Sequence, residues 1–335
     1  MINSHIGWTD DTYNPITMEG GGFYCFKVSP GCTNCYAETV NNRFNHDNAL
    51  PYRNMKEYPN LVLNEGMLAG WARKKKSRKN FLSSMTDVFG EFVPDEWVYK
   101  ILDAMVAAPL QVFQVLTKRS ERMKELVFNY CESRGLLVLP ENIWLIVSVE
   151  NQECASRVVD LIATRCQIRG LSIEPMLEYV DLTMPQLTLY HWTKNGPTTH
   201  WDSKIIAHID WVIVGGESGN KARVMNPKWV YNMERQCRMY NVPFFFKQWG
   251  EWVGGIWNKN EGIVKLEDGE THIHGFRQPI VYHGIKVESD PNWEIVSVRA
   301  GKKIRDIPFK DTFIQSDNAL LNGKHYFEFP HYLNT

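Results

Sequence analysis

Short apolar runs recur through the middle of the chain, and each ends in a polar or charged group. The runs are Phe81–Met85, ending at Asp87; Gln111–Thr117, ending at Lys118; and Ile143–Val149, ending at Glu150. They continue with Gln167–Ile173, ending at Glu174; Trp211–Gly216, ending at Glu217; and Phe244–Phe246, ending at Lys247. Rich in Val, Ile, Leu and Phe with little alternation, they predict parallel strands covered on both faces. Helical patterns fit between them. Pro94-Asp95-Glu96 opens a stripe of Trp97, Ile101 and Met105, and Ser120 is placed to cap a helix carrying Met123, Leu126 and Val127. Asn151 is placed to cap a helix carrying Cys154, Val158, Leu161 and Ile162. Asn226 followed by Pro227 opens one carrying Val230, Met233 and Cys237. The spacing is that of repeated βα units with right-handed crossovers, with a surface loop expected over 192–203.

The charges hold matching positions along this pattern. Asp87, Lys118, Glu150, Glu174, Glu217 and Lys247 all fall just past the C-terminal end of an expected strand. In a β/α barrel that end carries the active site. One such residue alone is more often a cap or a loop charge, but six in register predict a polar rim. The first strand is expected within Asp11–Ile16, which would open the next loop onto the same rim.

That loop holds Cys25, Cys32 and Cys35 in a C-x6-C-x2-C arrangement, with Pro30 and Gly31 bending the chain before Cys32. Two chemistries fit the spacing. Three thiolates can hold three irons of a four-iron cluster and leave one iron open for chemistry. Alternatively they form a structural zinc knot completed by a histidine from elsewhere. The other four cysteines, Cys131, Cys154, Cys166 and Cys237, sit within helical or strand-like patterns and read as reduced, buried thiols of a cytoplasmic protein.

Composition narrows the class without choosing between these. The chain has 335 residues, 44% hydrophobic and 22% charged, with a formal net charge of -1. That suits a soluble globular enzyme and supplies no global electrostatic drive toward nucleic acid or membrane. No stretch approaches the ~18 apolar residues of a membrane span, and the polar start lacks the apolar core of a signal peptide. One local run, Arg73-Lys74-Lys75-Lys76-Ser77-Arg78-Lys79, is strongly basic. It reads first as a solvated charge run, and otherwise as a phosphate contact with Tyr52 and Trp71 nearby to stack on bases.

Several stretches together resemble a known family. They are Gly7-Trp8-Thr9-Asp10 with Tyr13-Asn14-Pro15, then Lys27-Val28-Ser29-Pro30-Gly31-Cys32-Thr33-Asn34-Cys35-Tyr36-Ala37-Glu38. Ser84-Met85-Thr86-Asp87-Val88-Phe89, Phe113–Arg119, Val147–Gln152, Ser172–Pro175, Gly215–Gly219 and Phe244–Gly250 follow in order. A weaker echo returns at Gly301-Lys302-Lys303 and Leu320–Gly323. The chain resembles the phage-type three-cysteine-motif proteins, a bacterial and viral family with a radical-SAM-like organisation. Its six-residue spacer between the first two cysteines is longer than the usual three, and Met18–Tyr24 looks like an insertion.

The resemblance implies an α/β fold, a partial TIM-like (β/α) barrel of the radical-SAM type over 1–252, followed by a small β-rich C-terminal extension over 253–335. It implies a [4Fe-4S] cluster on Cys25, Cys32 and Cys35, with S-adenosylmethionine on the open iron. Reduction would cleave the sulfonium to a 5′-deoxyadenosyl radical that abstracts hydrogen from substrate. Within that frame Ser84 and Asp87 are expected to take the methionine ammonium and Lys118 its carboxylate. Ser148 and Glu150 would take the ribose hydroxyls, and the Gly215-Gly216 backbone would lie against the adenine. Glu174, Glu217 and Lys247 are left to face substrate. The partners expected are an external electron donor and a substrate such as a substituent on a modified phage DNA base, with no membrane. The competing class is a non-enzymatic nucleic-acid-binding protein with a structural metal site. His272 and His274 are better read as surface histidines than as ligands.

Overall fold

The computed structural model describes residues 2–3, 6–44, 49–53, 55–184, 188–201, 204–258, 260, 263–266, 272–274, 280–287, 290–299 and 330. The segments 301–303 and 320–323 lie outside the described residues. Two compact units share the chain: Met1–Ser148, Cys154–Ser172 and Met184–Asp210 form the first, and Val149–Glu153, Ile173–Thr183 and Trp211–Thr335 the second.

The first unit begins with β1 (Ile2–Asn3), β2 (Asp11–Tyr13) and β3 (Ile16–Met18). Then come α1 (Tyr36–Phe44), β4 (Leu61–Leu63), α2 (Glu65–Trp71) and β5 (Lys79–Leu82). Regular βα units follow: α3 (Asp95–Val106), β6 (Val112–Thr117), α4 (Ser120–Arg134), β7 (Ile143–Ser148), α5 (Ser156–Ala163) and β8 (Ile168–Ile173). The strands lie side by side in the order β1-β2-β5-β6-β7-β8, antiparallel only at β1. Every residue of β7 and β8 is buried, as strands covered on both faces require. On α3 the stripe Val98, Ile101, Leu102 and Met105 is buried, each side chain contributing about 1.5–3 kcal/mol by leaving water. Asp95 and Glu96 sit in its first turn, where the helix dipole favours them.

Local detail departs from the expectation in four places. β5 stops at Leu82 rather than Met85, because Ser83 takes a left-handed conformation (φ 59°) and turns the chain off the strand. Ser120 begins α4 rather than capping it, and its hydroxyl donates to Asp160 at 2.7 Å. Asn151 is followed by a short 3-10 turn over Glu153–Ala155, so α5 starts only at Ser156. The expected loop over 192–203 contains a hairpin instead, β9 (Thr188–Thr193) paired with β10 (Gly196–Trp201). Gly196 has φ 115° at its turn, and Thr193 Oγ1 accepts from the Asn195 N–H and donates to the Gly196 carbonyl. The Asn-Gly pair is the hairpin signal that periodicity alone overlooks.

The second unit contains β11 (Trp211–Gly215), α6 (Pro227–Met239) and β12 (Phe244–Gln248), with β11 and β12 parallel. Asn226 caps α6 as its sequence suggests, accepting from the Lys228 N–H at 3.0 Å. After β12 the chain enters an antiparallel sheet of β13 (Trp252–Asn258), β14 (Ile263–Leu266), β15 (His272–His274), β16 (Ile280–Val287) and β17 (Asp290–Arg299). Its order is β15-β14-β13-β17-β16. Among the described residues the chain is thus mixed α/β with repeated parallel βα units, and those from Trp252 to Arg299 lie mostly in strands. Among the described residues no helix is long and apolar enough to cross a membrane.

Candidate functional site

The parallel strands of the first unit end around a cavity of about 130 Å³. Cys25, Cys32 and Cys35 line it, together with Ser83, Ser84 and Asp87 after β5, Lys118 after β6, and Ser148 at the end of β7. Residues from three successive strand ends and from the cysteine loop therefore share one wall.

The cysteine loop reaches this place by a route absent from a plain βα unit. After β2 comes β3, which pairs with β4 from beyond the cysteines, and β3 leads into a turn in which Gly20, Gly21 and Gly22 all have positive φ. The loop is then stitched to the β5 end. Tyr36 donates to the Ser84 carbonyl at 2.7 Å, Tyr52 to the Met85 carbonyl at 2.6 Å, and Thr86 to the Tyr24 carbonyl at 2.6 Å. Asn14 holds the same segment from the other side, donating to Ser84 Oγ and accepting from the Met85 N–H. Cys25 and Cys35 pack against a buried cluster of Ala37, Tyr52 and Met85.

These surroundings set the thiols' chemistry. Burial pushes the Cys25 thiol up to about 12, and the nearby Arg119 guanidinium is the main opposing influence. Burial also raises Cys35, against hydrogen bonds from the Glu38 and Ala37 N–H groups in the first turn of α1. Without a cationic centre, then, Cys25 stays a thiol at neutral pH. Among the described residues no three His, Cys, Asp or Glu converge as ligands of a single ion. A four-iron cluster takes one thiolate per iron, so its ligands need not meet on one ion.

Asp87 is not a free acceptor. Its carboxylate accepts from Thr117 Oγ1 at 2.8 and 3.0 Å, from the Phe89 and Lys118 N–H groups at 3.0 and 3.1 Å, and from Arg119 Nη1 at 3.0 Å. A carboxylate offers about four lone-pair sites, so this one is filled from within. These bonds make Asp87 a buttress of the β5 and β6 ends, whatever it also offers a ligand. Lys118 differs: half-buried, it extends its Nζ to Ser148 Oγ at 2.8 Å on the cavity wall. Ser83 is more telling still. Only 3% exposed, in the left-handed region and on the cavity wall, its hydroxyl has no hydrogen-bond partner. A buried hydroxyl without a protein partner is ordinarily met by an ordered water or a ligand group. Neither Ser83 nor Arg119 stood out in the sequence, although both adjoin residues that did.

Glu150, Glu174, Glu217, Lys247, Gly215 and Gly216 belong to the second unit. Glu150 is fully buried, and its carbonyl accepts from the Leu177 N–H at 2.9 Å. Lys247 is the extra residue of a β-bulge, since Val214 faces Phe246 but Gly215 faces Gln248. The bulge re-aims its side chain, which pairs with Glu174 at 3.0 Å. Glu217 is held by Arg223 through the backbone N–H at 2.8 Å and two guanidinium bonds at 2.9 and 2.6 Å. The two glycines lie against the protein's own atoms on the side a Cβ would take. A Cβ on Gly215 would lie 2.5 Å from Glu174 Oε1, and one on Gly216 would lie 2.7 Å from the Trp249 carbonyl carbon. Their missing side chains make room for the protein's own atoms.

The basic run is partly tied down. Arg78 makes two bonds to Asp11, at 2.6 and 2.9 Å, and Lys74 bonds the Tyr13 hydroxyl. Lys79 opens β5, so the run enters the strand at the end opposite the cavity. Tyr52 and Trp71 are 3% and 1% exposed, which removes both as platforms for stacked bases.

Fold and site define a class: an α/β protein of parallel βα units with a three-thiol cavity at its strand ends. The chain belongs to the family described as a protein of unknown function, DUF5131, whose model matches residues 3–329. A search of curated proteins finds no match. Among solved structures the chain is similar to a cysteine-to-serine mutant of spore photoproduct lyase, at 10% identity over 73% of this chain and 78% of that one, with a TM-score of 0.39.

Proposed function

We propose that this protein is a radical S-adenosylmethionine enzyme, with a [4Fe-4S] cluster on Cys25, Cys32 and Cys35. The observation that carries the reading is the single cavity shared by those thiols, the Lys118 ammonium and the Ser83, Ser84 and Ser148 hydroxyls. The donor set fits the pair of groups: three soft ligands for iron, one cation for a carboxylate, and an orphaned hydroxyl for a polar head group. When bound, the cluster and S-adenosylmethionine supply one-electron cleavage of a sulfonium and a carbon-centred radical.

The chain's own residues do the rest. Lys118 holds a carboxylate in place, and Ser148 fixes the Lys118 side chain. Ser83 and Ser84 offer acceptors for an ammonium in the place first given to Asp87. Tyr36 and Tyr52, bonded to residues 84 and 85, hold this part of the cavity wall in place. Glu174, Glu217 and Lys247 remain proposed as substrate-facing groups. The family resemblance points to a substituent on a modified DNA base as substrate. The placement of the 73–79 run lends that no support, so nucleotides and whole DNA should be tested as separate substrates.

The test is anaerobic reconstitution with iron and sulfide, then incubation with S-adenosylmethionine and dithionite. Brown protein that releases 5′-deoxyadenosine is expected. Colourless protein that takes up zinc alone and yields no 5′-deoxyadenosine would refute the reading and favour the structural metal site.

A further inference from the structure

Arg119 is a buried, heavily engaged cation of the first unit, and the proposed function assigns its charge no role. Its side chain is 5% exposed. Each arm of the guanidinium has a partner: Nε donates to Glu91 at 2.8 Å, Nη1 to Asp87 at 3.0 Å, and Nη2 to the Phe26 carbonyl at 3.1 Å. The plane stacks on the Phe26 ring at 4.6 Å and approaches Phe92 at 5.7 Å. Phe26 adjoins Cys25, and Arg119 lines the same cavity as all three thiols.

A buried cation held this firmly is more than a loop fastener. A neutral amide could hold the Phe26 carbonyl at less desolvation cost. Asp87 balances the charge but spreads its own over four other bonds, to Thr117 and to the Phe89 and Lys118 amides. Glu91 is 47% exposed, so water screens its share. The positive end of the group is therefore only partly cancelled on the side of the cysteine loop.

We propose that Arg119 is a positioning residue that also sets the reduction potential of the centre on Cys25, Cys32 and Cys35. This rests on the radical S-adenosylmethionine reading. Three thiolates on a four-iron core leave the whole anionic. One electron from an external low-potential donor adds a further negative charge, with no bond made or broken. A fixed buried cation nearby favours that reduced state more than the oxidised one, as charges in low dielectric do. The same group, through Phe26, holds Cys25 at its place in the loop.

The experiment is a potentiometric titration of anaerobically reconstituted protein, followed by the electron paramagnetic resonance of the reduced centre. Arg119→Gln keeps a donor for the Phe26 carbonyl and removes the charge. It should lower the reduced-to-oxidised ratio at fixed potential about tenfold, which is ~59 mV for a one-electron couple. Arg119→Lys should fall between that variant and the wild type. Glu91→Gln, at an exposed position, removes a counter-charge and should move the potential upward, which keeps the proposal testable if Arg119→Gln does not fold. Less than a twofold change in Arg119→Gln with full iron content, or a downward shift in Glu91→Gln, would overturn it. Wild-type protein that assembles no iron–sulfur centre would instead overturn the underlying reading.

Discussion

Asp87 and Glu91 both hold Arg119, Asp87 from a buried site where it also accepts from Thr117, Phe89 and Lys118, and Glu91 from a half-exposed one. This makes a sharp test of what fastens the cysteine loop. Replacing Asp87 with Ala strips the buried guanidinium of its buried partner and also leaves the Thr117 hydroxyl and two backbone N–H groups without their acceptor. Breaking a buried pair from one side costs about 3–5 kcal/mol, because the remaining charge stays desolvated. Glu91→Ala removes a bond of similar length, 2.8 Å, from the same guanidinium. Its carboxylate is half exposed, so the loss should be about 1 kcal/mol or less. Urea denaturation of the metal-free proteins measures both, on the same guanidinium and in the same loop. Arg119→Met added to Asp87→Ala should then recover much of the loss, since an apolar side chain of similar length leaves no orphaned charge between Phe26 and Phe92. Equal costs for Asp87→Ala and Glu91→Ala would refute the reasoning, as would a double variant no better than Asp87→Ala alone. Either result would mean that the loop is held by the tyrosine and Asn14 bonds and that Arg119 is incidental to it.

Other expectations follow from the same geometry. In metal-free native protein a thiol reagent should titrate Cys25, Cys32 and Cys35 and spare the four buried cysteines until urea exposes all seven, with Cys25 slowest because its thiol is pushed up to about 12. Gly216→Ala should cost about 3 kcal/mol or more, because a methyl group there meets backbone of residue 249. Gly70→Ala, in α2 with nothing within 4 Å, should stabilise by about 0.5–1 kcal/mol in the same denaturation assay. Burial raises Cys25 to about 12 and Cys131 and Cys166 to about 11 from 9.0. The unfolded chain therefore loses these protons first, and stability should hold below pH 9 and fall as pH rises through 9 to 12; a flat urea midpoint across that window would contradict the burial.

The parallel strands could be read in the sequence because burial on both faces writes itself as an unbroken apolar run. The Ile143 and Trp211 runs correspond closely to β7 and β11. What limited the reading was everything settled by side chains meeting across the fold. Ser83 looks like one more polar residue after a strand; its left-handed backbone, which ends β5 three residues early, has no local signature. The small β3–β4 sheet pairs residues about 45 positions apart, beyond any periodicity, and its strands are too short to stand out. The Lys194-Asn195-Gly196 turn is different, because its hairpin chemistry is local and legible, and only the lack of apolar alternation around it made the segment look like a loop.

The six strand-end charges show most directly why position is not role. Asp87 and Lys118 occupy equivalent places after neighbouring strands, yet the structure gives them different tasks. Asp87 lies beside the Thr117 hydroxyl and the Arg119 guanidinium, whose donors fill its lone pairs before any ligand could. Lys118 meets a serine hydroxyl rather than a carboxylate and so keeps its charge on the cavity wall. Glu174 and Lys247 meet each other, but only because one inserted residue in β12 turns the lysine toward the glutamate. Glu217 is claimed by Arg223, six residues away in an irregular loop. In each case the deciding partner sits at a distance that the strand pattern does not encode. A charged residue after a strand is thus only an invitation to a site. Whether it serves the ligand or the scaffold depends on how many donors or acceptors already reach it, and among these six that criterion leaves Lys118 as the first charge to replace when the cavity is tested.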